Sequence, residues 1–313
     1  MDILTNPAIL FFIFGIFAGL IKSNLEIPQQ IAKFLSLYLL MAIGLKGGVA
    51  LATSGFTLSI LSVILIGLFL SIIVPIYSYH FLKRYLNGYD AAATAATYGS
   101  ISAVTFVTAT QFLTTANIAY DGFMSAVMAI MESPAIIIAV LLANRLRNNN
   151  TTSLTDVLKD SFTEGANLLL LASLLIGYIA GPVGYALMSP FTATLFTGLL
   201  AFFLLDMGIQ VAKNLPSLRG KNPALLAYAI IAPIIHALVA LTLCVVFGVS
   251  LGNTVLMMVL AASASYIAVP AAVKHSIPEA SPSVYLGLSL GVTFTFNVIF
   301  GIPLYYWLAT IFI

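Results

Sequence analysis

The 313-residue chain is 61% hydrophobic and only 7% charged, with a mean hydropathy of +1.10. A soluble globular domain carries about 25% charged residues, so a water-soluble fold is excluded in favour of an integral membrane body. The net charge of +2, with Lys and Arg scattered, argues against nucleic acid as a partner. The lone cysteine, Cys244, allows no intrachain disulfide and reads as a buried, inert thiol.

Roughly 20 apolar residues cross a bilayer as a helix. The first such stretch, Pro7 to Ile21, follows Asp2 rather than a basic segment and lacks a small-residue cleavage pattern. It reads as a transmembrane helix and not as a secretion signal. The expected fold is an all-α integral membrane protein of ten transmembrane helices, at residues 7–21, 31–50, 57–79, 91–110, 118–143, 166–187, 191–212, 223–247, 253–272 and 283–312. Pro182 and Pro190 interrupt the sixth and seventh. The widest polar interval runs from Asn144 to Gly165 and carries three consecutive asparagines, Asp156, Lys159, Asp160 and Glu164. It divides the chain into a first half at 1–145, a connector at 146–165 with a short interfacial helix expected over Leu154–Thr163, and a second half at 166–313.

Alternating the ten spans across a bilayer places Lys22, Lys33, Lys83, Arg84, Arg145, Arg147, Lys159, Lys213, Arg219, Lys221 and Lys274 on one side. The opposite turns, near 53–56, 112–117, 188–190 and 248–252, hold no Lys or Arg. The positive-inside rule then puts the connector in the cytoplasm and both termini outside. Lys46 is the one basic residue left over.

Five spans per half make the two halves enter the membrane in opposite senses. Ala96, Ser100, Ala103 and Val104 match Ala261, Ser265, Ala268 and Val269 at one constant offset, which also sets Glu132 opposite Asn297. A slightly shorter offset sets Leu45, Lys46 and Gly48 opposite Leu205, Asp206 and Gly208. Together they point to inverted repeats, the scaffold of alternating-access transporters.

The fourth span is rich in hydroxyls around Gly99, Ser100 and Ser102, and the ninth carries Ser263, Ser265, Tyr266 and Pro270. Hydroxyls that bond nearby helix carbonyls serve simple helix packing equally well. If instead both spans break near Gly99 and Pro270, two helix N-termini meet, and their amides and dipoles hold an anion with Ser100, Ser102, Ser265 and Tyr266. Glu132, just before Pro134, is an intramembrane carboxylate suited to a hard cation, to a protonated structural role or to pairing with Lys46. Lys46 and Asp206 serve as gate charges, as an internal pair, or as side chains snorkelling to opposite surfaces. Asp121 reads as a cap or vestibule charge, His236 as a satisfied structural histidine, and the terminal tyrosines near 305–306 with Trp307 as interfacial anchors. No carboxylate dyad or His/Cys cluster favours hydrolysis, and Gly44–Val49 has the wrong spacing for a phosphate loop.

The segments YLLMAIGLKGG, AATYGSISAVTF, MESPAII and FFLLDMGIQ together resemble the cyanobacterial sodium-dependent bicarbonate transporter family, and the likeness runs through the chain outside the connector. The resemblance implies a plasma-membrane symporter importing bicarbonate with sodium, on a five-plus-five inverted-repeat fold related to sodium/bile-acid symporters. It further implies a homotrimer, a core domain moving against a gate domain, and control by a PII-like cytoplasmic protein, although the connector here is shorter than in many members. It places bicarbonate near Gly99, Ser100, Ser102, Ala268 and Val269, and sodium near Thr105, Glu132, Ser263 and Asn297. The rival readings are transport of another small anion, sodium/proton exchange, an ion channel and a structural scaffold.

Overall fold

The computed structural model describes residues 6–55, 58–147 and 165–313, all helices and turns. The expected interfacial helix at 154–163 and the connector charges Asp156, Lys159, Asp160 and Glu164 lie outside them. In chain order the helices are α1 (Pro7–Leu20), α2 (Gln29–Ser54), α3 (Leu58–Leu82), α4 (Gly88–Gly99), α5 (Ala103–Thr115) and α6 (Met124–Arg147). They continue as α7 (Gly165–Ser189), α8 (Phe196–Asn214), α9 (Pro223–Val246), α10 (Leu251–Ala262), α11 (Ala268–Ser276) and α12 (Pro282–Phe312). Seven described helical segments are long and apolar enough to cross a membrane: those beginning at Gln29, Ile60, Met124, Leu168, Phe196, Pro223 and Pro282.

The fourth and ninth sequence spans are each two helices, α4 with α5 and α10 with α11. At a rise of about 1.5 Å per residue, neither partner reaches the roughly 30 Å of a hydrocarbon core alone, whereas α4 and α5 together exceed it. The fifth span begins later than its hydropathy implied, at Met124, because Asn117, with φ of 56°, and Gly122 belong to the turn before it. The Pro182 interruption is a kink: Gly181 takes φ of 59°, which glycine alone adopts without strain. In α12 the backbone is π-helical over Gly287–Phe294 and Asn297–Gly301, which turns the side chains between them relative to a regular helix.

Helix starts follow local chemistry. Asn6 and Asn222 accept backbone N–H bonds at the starts of α1 and α9, each followed by a proline that needs no partner. Asn87 accepts from the amide of Asp90 and donates Nδ2 to its carboxylate at 2.7 Å.

Two helix pairs form the longest contacts, α1 along α8 and α2 along α7. Both are crossings of bare backbone. A Cβ on Gly15 would fall 2.3 Å from the Leu205 carbonyl oxygen and one on Gly208 2.2 Å from that of Phe12. In the other pair, a Cβ on Gly48 would lie 1.9 Å from the Leu174 oxygen and one on Gly177 2.2 Å from that of Leu45. Close backbone approach maximises dispersion contact where no hydrophobic effect drives helices together. The remaining helices pack as α3 on α4 and α6, and α9 on α10, with α5 against α10 and α4 against α11. Two apolar clusters result, one including Ile101, Phe106, Leu256 and Phe294, the other Ala96, Tyr98, Ala264 and Val269. The chain crosses from one to the other at Ser100 and again near Ser265.

Arg147 lies at the end of α6 and ties the halves together. Its Nε and Nη2 donate to both carboxylate oxygens of Glu279, at 2.8 and 2.5 Å, and Nη2 also donates to the Ser276 carbonyl at the end of α11. The guanidinium holds the Glu279 carboxyl below its usual range. Because the folded-state pKa is depressed, this contribution is present above the ordinary carboxylate range and is lost as pH falls through the folded value. Arg147→Gln is therefore expected to lower the unfolding temperature at neutral pH, by a margin that shrinks in acid; a pH-independent margin contradicts the ion pair's role.

Gly177→Ala is expected to destabilise the protein by about 1–3 kcal/mol through overpacking. Gly198→Ala, which meets nothing within 4 Å, is expected to be neutral or stabilising by about 0.4–1 kcal/mol. Thermal unfolding in detergent compares the two.

Candidate functional site

The two helix breaks meet. Between α4 and α5 the chain is extended at Ser100 and Ser102, and between α10 and α11 it is non-helical from Ser263 to Ile267. They are cross-linked by hydrogen bonds: the Ser265 amide donates to the Thr97 carbonyl at 2.7 Å, and the Ser102 amide to Ser263 Oγ at 2.9 Å.

Each new helix start has its own serine. Ser102 Oγ accepts from the Thr105 amide at 3.2 Å and from Thr105 Oγ1 at 2.9 Å, while Ser265 Oγ accepts from the Val269 amide at 3.3 Å. The α5 and α11 N-termini, each worth about half a positive charge, therefore enter the crossing with side-chain oxygens on their first turns. The opposite, electronegative ends belong to α4 and α10. Ser263 Oγ donates to the Leu260 carbonyl at 2.9 Å, and Asn297 Nδ2 to that of Ala262 at 2.8 Å, so the last carbonyls of α10 are covered. Tyr305 donates to Asn297 Oδ1 at 2.7 Å and fixes the orientation of that amide. Tyr305 is fully buried, so it is not the interfacial anchor its place near the C-terminus implied; the neighbouring Trp307 is exposed.

Glu132 stands beside the crossing. Its backbone carbonyl accepts from Ser100 Oγ at 3.1 Å, and the residue is buried. With Ser102, Ser265, Tyr266, Ala268 and Ser36 of α2 it borders a cavity of about 30 Å³. That is close to one water's share of liquid volume. Tyr266 Oη is buried next to Ser102, and its ring packs on Phe294.

A second, larger cavity of about 240 Å³ also borders α2 and α5, at residues further along both helices. It is lined by Ala42, Ile43 and Lys46 of α2, and by Phe106, Thr110 and Gln111 of α5. Those two helices border both cavities, with Leu40 and Ser102 on the small one.

The structure thus gathers Ser100, Ser102, Thr105, Glu132, Ser263, Ser265, Tyr266, Ala268, Val269 and Asn297 around one crossing. Gly99 is the last residue of α4, and its reason is packing: a Cβ there would lie 2.5 Å from the Pro75 ring. Pro270 is inside the first turn of α11, where its missing amide costs nothing, so it does not itself break the span. Lys46 and Asp206 are apart in role. Lys46 is exposed, donates to Tyr120 Oη at 3.1 Å and lines the larger cavity. Asp206 is 2% exposed, which corrects the reading that it snorkels to the surface. His236 is fully buried among the rings of Tyr77 and Tyr98, beside the Ala261 backbone.

Sequence reasoning missed one pair of clamps. Asp90, in the first turn of α4, accepts from the Ser281 amide at 2.6 Å ahead of α12, and Asn253, in the first turn of α10, accepts from the Asp121 amide at 2.8 Å ahead of α6. The Asn87–Asp90 spacing was a visible capping signal for the first; the long-range partner was not.

Among the described residues no group of three His, Cys, Asp or Glu side chains could hold a metal ion in the manner of a catalytic centre. Discontinuous helices that meet with oxygen donors at their ends are a feature of secondary transporters, which bind ions without changing them chemically. The chain belongs to the Na+-dependent bicarbonate transporter superfamily, whose family model matches residues 7–310. It is thereby classed as a Na+-dependent bicarbonate transporter, a multi-pass membrane protein and not an enzyme. Comparison with curated proteins gives no match.

Asn297→Ala removes the donor to Ala262 and strands the Tyr305 hydroxyl. An unsatisfied buried group costs about 1–3 kcal/mol, so unfolding temperature and sodium-dependent transport are both expected to fall. Tyr305→Phe, which leaves the Ala262 bond intact, is expected to fall less on both measures.

Proposed function

We propose that the crossing of α4–α5 with α10–α11 is the transport site, and that the chain imports bicarbonate with sodium by alternating access. The observation that carries this reading is the meeting of two serine-capped helix N-termini beside a buried carboxylate. Bicarbonate sits at the N-termini of α5 and α11, held by Gly99, Ser100, Ser102, Ser265, Tyr266, Ala268 and Val269. Sodium sits among hard oxygens at Thr105, Glu132, Ser263 and Asn297, whose donor types suit it. Its charge strengthens anion binding, and each ion raises the other's affinity by the same factor.

Ten crossings in two inverted repeats, 1–145 and 166–313 about a connector at 146–165, complete the proposal. Its support is the mirrored pairing of α1 with α8 and α7 with α2, and of α3 with α4 and α9 with α10. Helices α1, α2, α7 and α8 form the gate and the remaining helices the core that moves. Both termini face outward and the connector faces the cytoplasm of a plasma membrane. The resemblance to cyanobacterial members supports a homotrimer and a PII-like regulatory partner at the basic cytoplasmic face. The uncovered apolar surface of α7, where Val183 and Leu187 are each 82% exposed, offers room for lipid or a neighbouring subunit.

The test is labelled bicarbonate uptake into proteoliposomes with sodium, pH and voltage set independently. Glu132→Gln is expected to weaken the sodium dependence of uptake at least tenfold, an effect of about 1.4 kcal/mol, with folding retained. Unaltered sodium dependence removes Glu132 from the cation site.

A further inference from the structure

The larger cavity has no part in the site described above, yet it contains the one basic residue that the charge pattern leaves off the cytoplasmic side. Lys46 lies on α2, one residue before Gly47, whose Cβ position would collide with Ser125 Oγ of α6. The ammonium is thus carried on a helix pressed directly against α6, and it projects into about 240 Å³ of cavity. Its Nζ donates to Tyr120 Oη at 3.1 Å and lies 5.2 Å from the centre of that ring. Among the described residues no carboxylate forms an ion pair with it; the ion pair formed there is that of Arg147 with Glu279.

Asp121 is the other charged group on the cavity wall. Its Oδ2 accepts from Asn253 Nδ2 at 2.7 Å while its amide donates to Asn253 Oδ1. The carboxylate is thereby tied to α10, so it tempers the field of Lys46 across the cavity without forming an ion pair with it. Tyr120 engages one ammonium proton and leaves the others to a soluble anion. The same wall leads to the crossing. Phe106, which lines the cavity, is one helical turn beyond Ser102, which caps α5 and borders the small cavity.

We propose that this cavity is a vestibule with an anion encounter site at Lys46, which collects bicarbonate and delivers it along α5 to the crossing. The inference rests on the transport reading above and adds a specificity residue outside the transport site. The field of a single exposed charge fades beyond a Debye length, about 8 Å at physiological ionic strength. The nearby Asp121 keeps the site weak, which suits a way-station that must release its ion inward. The contact also joins the proposed gate helix α2 to the turn ahead of α6, so capture occurs where the two bodies adjoin.

The experiment is initial-rate uptake of labelled bicarbonate by cells expressing the full chain, at saturating sodium and at two concentrations of an impermeant external salt. Lys46→Gln is expected to raise KM about three- to fivefold, the range for one exposed charge pair, with little change in maximal rate. It is also expected to flatten the salt dependence of KM that the parent shows, and Lys46→Arg is expected to restore both. As a second route within the folded protein, Lys46→Cys treated with a cationic thiol reagent should regain low KM, and with a neutral one should not; the native Cys244 is buried. A KM and salt dependence in Lys46→Gln equal to the parent's overturns the proposal, as does equal rescue by the two reagents. Parent uptake that ignores sodium overturns the transport reading instead.

Discussion

Breaking a helix inside an apolar protein leaves backbone amides and carbonyls without their usual partners, and lipid offers none. The rest of this structure depends on how that demand is met. Two breaks are placed against each other so that each supplies what the other lacks: the Ser265 amide closes on Thr97, and the Ser102 amide on Ser263. Asn297 and Ser263 cover the end of α10, and Ser102 and Ser265 cover the starts of α5 and α11. The hydroxyls of the fourth and ninth segments therefore satisfy the broken backbone. They stabilise the crossing, and in the proposed mechanism its helix-end dipoles are where an anion and a cation would find complementary charge.

In the proposed mechanism the crossing moves against a second body, the paired helices α1 with α8 and α2 with α7. Their glycine contacts bring backbone against backbone within each pair. Helix α2 then presents different residues to the two cavities, Ser36 and Leu40 to the smaller and Lys46 to the larger. In the proposed mechanism, a shift of the core along α2 exchanges which cavity communicates with the crossing. Each ion can bias that shift only by its difference in affinity between the two arrangements.

Much of this was legible in the sequence because membrane burial makes polarity expensive. A Ser-rich stretch in hydrocarbon needs a reason, so Ser100, Ser102, Ser263 and Ser265 stood out, as did Glu132 and Asn297, and all six lie at the crossing. The charge partition also separated Lys46 from the other basic residues before any geometry was available. What stayed hidden was whatever depends on a distant partner. Tyr305 resembles an interfacial tyrosine until Asn297 is placed beneath it, and Asp90 resembles a simple first-turn acid until Ser281 is brought to it. Hydropathy likewise joined α4 to α5 and α10 to α11, because a window average does not register breaks of three and five residues. Gly99 and Pro270 did mark the breaks, though for other reasons than those expected: α4 ends at Gly99, which is small to admit Pro75, and Pro270 sits in the first turn after the second break, where a helix start needs no amide.

The most direct measurement is a high-resolution structure of the protein in lipid nanodiscs with sodium and bicarbonate, compared with one in potassium alone. The account predicts paired ion density at the crossing, with the anion between the Ser102 and Ser265 helix starts and the cation on the Glu132 and Asn297 side, and both absent without sodium. Ion density confined to another part of the protein, or a crossing unchanged by the two conditions while transport proceeds, would contradict it.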